Sequence, residues 1–326
     1  MKINRFGGLQ VDVGPLETNN ENCRDISNLR VDNPKFKPNN EIGYEKQRTI
    51  GLNEIITNII QIRENATSSN IGIGAWTNLF YNFTSPEDVY VYENVLYVLD
   101  QDAQVVSKFS KAGRFISSFS LGFTVEGFCI TGESICLTDG DNHRIYVTDL
   151  DGNLDTTIGS QGSGNGEFDT PQGITYFGNE FYVTEEGNNR VQVFNAAGVY
   201  QRQWGSAGTG NGQFTDPESV IGYNSEIYVI EAGGQRVQVF DTDGNYQRKW
   251  SLGTGADGTG IFHYQGEIYT CDESPAIQVF NTTGTLQRTL GAGDTTEPKG
   301  IYVDSGWVYI ADGGAQSVYR VAANGD

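Results

Sequence analysis

The sequence is poor in histidine and methionine. It holds two histidines and one methionine in 326 residues. His143 and His263 stand at unrelated points of the chain, too few for a histidine-rich metal site. Two imidazoles are enough for a Ser–His–carboxylate triad, but no G-x-S-x-G context accompanies them. No apolar run approaches the ~18 residues of a membrane-spanning helix. The opening "MKINRFGGLQVDVGPLETNN" has no apolar core of the kind a secretory signal needs, so secretion is not expected. The four cysteines (Cys23, Cys129, Cys136, Cys271) fit no C-x-x-C pattern. They read as ordinary thiols of a reducing compartment, and a disulfide between distant ones stays open. Positive charge is scarce too: 21 Lys and Arg face 41 Asp and Glu, a net of −20. Residues 1–50 carry 8 basic and 7 acidic groups, so the rest carries 13 against 34, a net of −21. Such a body repels phosphate backbones, and sequence-independent nucleic-acid binding by it is not expected.

Glycine (42), tyrosine (17) and phenylalanine (17) are plentiful, the composition of short strands joined by tight turns. One phrase recurs six times: "LYVLD" from Leu96, "ICLTD" from Ile135, "FYVTE" from Phe181, "IYVIE" from Ile227, "IYTCD" from Ile268 and "VYIAD" from Val308. The spacings are 39, 46, 46, 41 and 40 residues. Each phrase is an apolar strand closing on a carboxylate. A second strand follows ("RIYVTD", "RVQVFN", "RVQVFD"), then a turn such as "TDGN", then a third ("YQRQW"). A further strand precedes each phrase, as in "PQGITYFG" and "PKGIYVDS". Four strands per unit cannot bury both faces of one sheet, but six units arranged radially can. The expectation is an all-β, six-bladed propeller over residues 55–326. The last unit stops after "SVYRVAANGD", one strand short. A segment near Ile71–Phe80 is expected to supply that strand and close the ring.

The text "GSGNGEFDTPQGITYFGNEFYVTEEGNNRVQVFNAAGVYQRQWG" closely resembles an NHL repeat, and "GDNHRIYVTDLDGN" is similar. The resemblance covers about residues 80–326, strong in units three and four, weaker in unit one ("AQVVSKF") and unit five ("SPAIQVF"). It implies the NHL propeller fold. Within that family it implies a protein- or RNA-binding platform or, in some relatives, a lyase or lactonase. The basic surface that RNA binding needs is missing.

Candidate chemistry sits at repeated offsets. Arg144, Arg190 and Arg236 stand in step with Asp139, Glu185 and Glu231. A ring of charge for an anionic ligand is one reading. Identical offsets favour the other, structural inter-blade ion pairs, because a binding site is ordinarily asymmetric. The Gly-rich stretches "GSQGSGNGEF", "GSAGTGNGQF" and "GTGADGTGIF" resemble phosphate cradles, but they lead into strands and carry no Lys, so they read as crossovers between blades. "TDGDNHR" at Thr138–Arg144 offers oxygen ligands for a hard cation. The same positions read "EEGNNR" and "EAGGQR" in the next units, so a turn is expected. No catalytic, cofactor-binding or metal-ligating residue is assigned, and no cofactor is expected.

Residues 1–54 differ in kind: rich in Asn and charge, and without a sustained period. Their apolar positions Phe6, Leu9, Val11, Leu16, Ile26, Leu29 and Phe36 read as anchors of an extended assembly arm. "MKINRFGGL", "ENCRD" and "NLRVDNPKFKPNNEIG" resemble the opening of tail-associated structural proteins of tailed bacteriophages. That resemblance implies a non-enzymatic virion protein, a tail nozzle or lower-tail component made in the host cytoplasm. Its partners would be its own copies in a homo-oligomeric ring and other tail proteins, with DNA passing an acidic channel. The alternatives are an NHL-type metal-dependent lyase or lactonase and a peptide- or glycan-binding propeller.

Overall fold

The computed structural model describes residues 2–6, 9–12, 77–78, 83–253, 257–272, 277–291 and 294–324. The chain divides into two compact units, residues 1–69 and 70–326. In the first, Lys2–Phe6 pairs antiparallel with Leu9–Asp12, with Ile3 opposite Val11. Phe6, Leu9 and Val11 fall on this hairpin, while Leu16, Ile26, Leu29, Phe36 and the expected boundary at residue 54 lie outside the described residues.

The second unit is a six-bladed β-propeller of four-stranded antiparallel sheets. Blade 1 runs Pro86–Tyr92, Val95–Asp100, Val105–Ser110, Phe115–Ser120. Blade 2 runs Gly127–Thr131, Ser134–Asp139, Arg144–Asp149, Leu154–Ile158. Blade 3 runs Pro171–Phe177, Glu180–Glu185, Arg190–Asn195, Tyr200–Trp204. Blade 4 runs Pro217–Tyr223, Glu226–Glu231, Arg236–Asp241, Tyr246–Ser251. Blade 5 runs Gly258–Tyr264, Glu267–Asp272, Ile277–Asn281, Leu286–Leu290. Blade 6 runs Pro298–Asp304, Trp307–Asp312, Ser317–Ala322, and takes Thr77–Asn78 as its fourth strand, with Asn78 opposite Tyr319 and Thr77 opposite Arg320. The closing strand thus comes from the expected segment and ties the two ends of the unit together.

The six first strands touch their neighbours in a closed cycle and surround the axis. Between each adjacent pair of blades lies one apolar cluster, as the radial stacking of two-faced sheets requires. The recurring phrase is the second strand, buried along all but its first residue in every blade. Its final carboxylate has a repeated task. Asp100 accepts from the amides of Thr84, Ser85 and Ala103, and Asp312 from those of Thr296, Glu297 and Ala315. Each acid pins the loop leading into its blade, because buried amides in a turn need an acceptor that no ladder supplies. The third-to-fourth-strand turns use glycine for a concrete reason. Gly244 has φ +87°, and a Cβ there would sit 2.6 Å from the Trp204 ring of the preceding blade.

Candidate functional site

The six charges singled out by their offset do not behave alike. Glu185 and Arg190 are register partners on adjacent strands of one blade and are bonded at 2.6 Å. Glu231 and Arg236 repeat the arrangement at 2.7 Å. Both pairs lie inside a blade, not between blades. Each Arg reaches out with its remaining donors: Arg190 to the carbonyls of Ser163, Gly164 and Glu167, Arg236 to those of Thr209 and Gln213. The Gly-rich crossovers into blades 3 and 4 are therefore carbonyl cradles around a guanidinium, the reverse polarity of a phosphate loop, while the third stretch includes residues outside those described. Arg144 departs from the series. It faces Asp139 in register, yet its Nε donates to the Asn142 carbonyl, and Asp139 accepts from Asn142 instead. Asp139 is one methylene shorter than Glu, and the connection into blade 2 has no Gly-rich loop to receive the guanidinium.

The ties between blades are made by different residues. Arg202, Arg248 and Arg288, on the fourth strands of blades 3, 4 and 5, each fork onto a glutamate of their own blade: Glu180, Glu226 and Glu267. Each also donates to a tyrosine hydroxyl (Tyr182, Tyr228, Tyr269) and then to a carbonyl of the next blade: Thr242, Thr282 or Ala323. The Arg hydrogen bonds hold all three glutamates below the usual carboxylate range. The blade 6–blade 1 seam uses another set: Lys111 on Asp304, and Arg320 donating to the Lys111 carbonyl while lying 4.4 Å over Trp307. Sequence reading missed these clamps. Their signal was the Arg of "YQRQW", "YQRKW" and "LQRTL".

A concavity lies on the axis. The second position of each first strand, or the residue just before it in blade 2, faces the same mouth: Glu87, Glu126, Gln172, Glu218, Thr259 and Lys299. With Asp88, Glu186, Asp216 and Asp257 they line a cavity of about 440 Å³ in which seven carboxyl groups meet one ammonium. Gln101 donates to Glu126, and Gln172 to Glu186. Further along the same strands the lining turns apolar and aromatic. Tyr302 sits 4.6 Å from Tyr90 and 4.1 Å from Phe262, and Tyr90 lies 5.9 Å from Phe128. The space there narrows to about 80 Å³. The site is an acidic cup above an aromatic throat, built to favour cations and exclude anions.

The cup strains its own acids. Burial, joined by Glu186, Glu126 and Glu87, pushes Glu218 up to about 8. Burial pushes Asp88 up to about 7, although it accepts from the amides of Val89 and Phe128. Burial raises Glu126 as well. These values lie above the ~4 of a free carboxyl, so the folded chain keeps protons that the unfolded chain has released. Stability from this source is complete below about pH 4 and falls as pH rises through about 7 and 8. Glu218→Gln is therefore expected to raise the melting temperature by several degrees at pH 8.5 and to change it little at pH 4. Thermal melts at the two pH values measure this; an equal shift at both would contradict the assignment.

Neither histidine reaches the cup. His143 Nδ1 accepts from the Thr170 amide at 3.1 Å and lies 3.6 Å from Asp169. His263 stacks on Tyr223, its Nε2 accepts from the Gly266 amide, and burial lowers it to about 4. "TDGDNHR" forms the turn between the second and third strands of blade 2.

Fold and cup together define a six-bladed propeller with an acidic axial mouth. A family described as a 6-bladed beta-propeller matches residues 169–275. No curated protein matches the sequence. Among solved structures, one described as a streptogramin B lyase is similar at 17% identity and TM-score 0.59, over 78% of this chain and 85% of that one. A catalytically inactive virginiamycin B lyase from Staphylococcus aureus with quinupristin is similar at 17% identity and TM-score 0.58, over 78% and 86%. A luciferin-regenerating enzyme is similar at 12% identity and TM-score 0.59, over 76% and 95%. At these identities the likeness is one of fold.

Proposed function

We propose that the chain is a non-enzymatic structural protein of a virion, a tail component of the nozzle or lower-tail kind. The propeller is its rigid acidic body, and residues 1–54 make the assembly contacts. The observation that carries the non-enzymatic half is the make-up of the axial cup. Its seven carboxyl groups stand with one lysine, while both histidines are engaged elsewhere. No imidazole is within reach to act as base or soft metal ligand there. The virion half rests on the opening phrases "MKINRFGGL" and "ENCRD" and on the charge. A body with a net of −21 outside residues 1–50 lets DNA pass without sticking, and the nearly neutral head can approach an acidic neighbour without repulsion. The partners are copies of the chain, in the closed rotational symmetry usual for such contacts, and adjoining tail proteins.

A second reading, a metal-dependent lyase or lactonase, is favoured by the fold likeness and by the cup, whose oxygens suit a hard divalent cation. Imaging of the purified full-length chain separates the two, combined with titration by Mg²⁺ and Ca²⁺. Closed rings of one copy number, with no tight cation, are expected. Dispersed single propellers that bind one divalent ion per chain tightly would replace the first reading with the second.

A further inference from the structure

Blade 2 breaks the repeat at one place. At the second residue of the recurring phrase the other five blades carry tyrosine: Tyr97, Tyr182, Tyr228, Tyr269 and Tyr309. Blade 2 carries Cys136, and its register partner on the first strand is Cys129. Both side chains are buried, Cys129 at 2% and Cys136 at 1% exposure, and both belong to the apolar cluster between blades 2 and 3. They therefore point to the same side of the sheet. The two thiols are close enough to hydrogen-bond, and both are free. Where the other blades place a tyrosine, this seam is a closely packed apolar site lined by Cys136, Ile145, Ile158, Ile174, Phe181 and Phe194. The same seam has no counterpart of the Arg–Glu–Tyr clamp among the described residues. Ser134 stands where Glu180 stands in blade 3, and Cys136 where Tyr182 stands.

We infer that Cys129 and Cys136 form a redox-modification site, which a peroxide-class oxidant converts to a cross-strand disulfide. Residues directly opposite on antiparallel strands have Cα atoms about 4.5–5.5 Å apart, inside the range of about 4.4–6.8 Å that a disulfide spans. The backbone therefore stays in place, and the bond forms by χ1 rotation of the two facing side chains. One thiol takes the peroxide oxygen, giving a sulfenic acid and one water. The second sulfur then attacks it, the S–O bond breaks, and a second water leaves as the S–S bond forms. Two thiols give up two electrons, and the peroxide accepts them. The hydrogen bond between the thiols, together with burial, keeps Cys129 protonated, so the reaction is slow. Cys271 does not compete. It lies in blade 5, and its thiol donates to the Lys299 carbonyl. Oxidation closes the innermost hairpin of blade 2 with a covalent bond at a seam that lacks the Arg–Glu–Tyr clamp.

The test treats the folded full-length chain with hydrogen peroxide, blocks remaining thiols, and maps peptides by mass spectrometry without reduction. The expected product is a Cys129–Cys136 cross-linked peptide, absent from Cys136→Ala and reversed by a thiol reductant. The melting temperature of the wild type should rise on oxidation and return on reduction. Free Cys129 and Cys136 after prolonged treatment, sulfinic acid on either without a cross-link, or a cross-link to Cys271 would each overturn the inference. The mapping uses the wild-type chain, so it holds even if the variant folds poorly.

Discussion

Arg236→Ala is expected to lower the unfolding free energy by about 3–5 kcal/mol, the range for removing one partner of a buried ion pair. Glu231 is fully buried and accepts from Arg236, Gln238 Nε2 and the Thr215 amide. Without the guanidinium, the carboxylate keeps only neutral donors in a dry site. The Thr209 carbonyl loses this donor at the same time, and the Gln213 carbonyl keeps only Gln238 Nε2, so the Gly-rich crossover loosens. Arg144→Ala, at the same offset in blade 2, should cost under about 1 kcal/mol, since its side chain is half-buried and donates only to a nearby carbonyl. Urea unfolding of the two variants measures the contrast. Equal losses would mean that position in the repeat, and not the buried pair, governs stability.

Gly300→Ala is the second large effect. The first strands of blades 6 and 1 approach so closely at the axis that a Cβ on Gly300 would lie 2.5 Å from Asp88 Cα and 2.6 Å from the Glu87 carbonyl oxygen. Both obstacles are backbone, so no side-chain rotation relieves them. The seam that closes the ring must open, at a cost of about 1–3 kcal/mol or more. Gly178→Ala is the control: its φ is +60° but nothing lies within 4 Å, so only backbone strain of about 1 kcal/mol is expected. Calorimetry would show Gly300→Ala melting well below Gly178→Ala. The reverse order would place the weakest point of the propeller away from the closing seam.

The architecture was legible because the period is carried by burial. The six apolar phrases are the six second strands, and in blades 1, 3, 4 and 6 the carboxylate that ends the phrase accepts from an amide of the loop entering the blade. The failure at Arg144 had a visible cause in Asp139, shorter than Glu185 and Glu231, and in the missing Gly-rich stretch before blade 2. The inter-blade clamps were less legible. Arg202 and Glu180 are 22 residues apart and meet only through the register of three strands. The axial cup was hardest to see. Each blade gives one main residue to it, and Glu87, Gln172, Glu218 and Lys299 look like unrelated second letters of "PED", "PQG", "PES" and "PKG". Their convergence appears only once the six first strands are placed around one axis.

Acids held up to about 7 and 8 are partly protonated near neutrality, so the mouth can take or release charge without unfolding.

The measurement that tests the central claim most directly is the solution mass of the full-length chain by light scattering behind size exclusion, beside a chain lacking residues 1–54. The account predicts one defined large oligomer for the first and a folded monomer for the second. A monomeric full-length chain, or a truncated chain that assembles as the full one does, would contradict it.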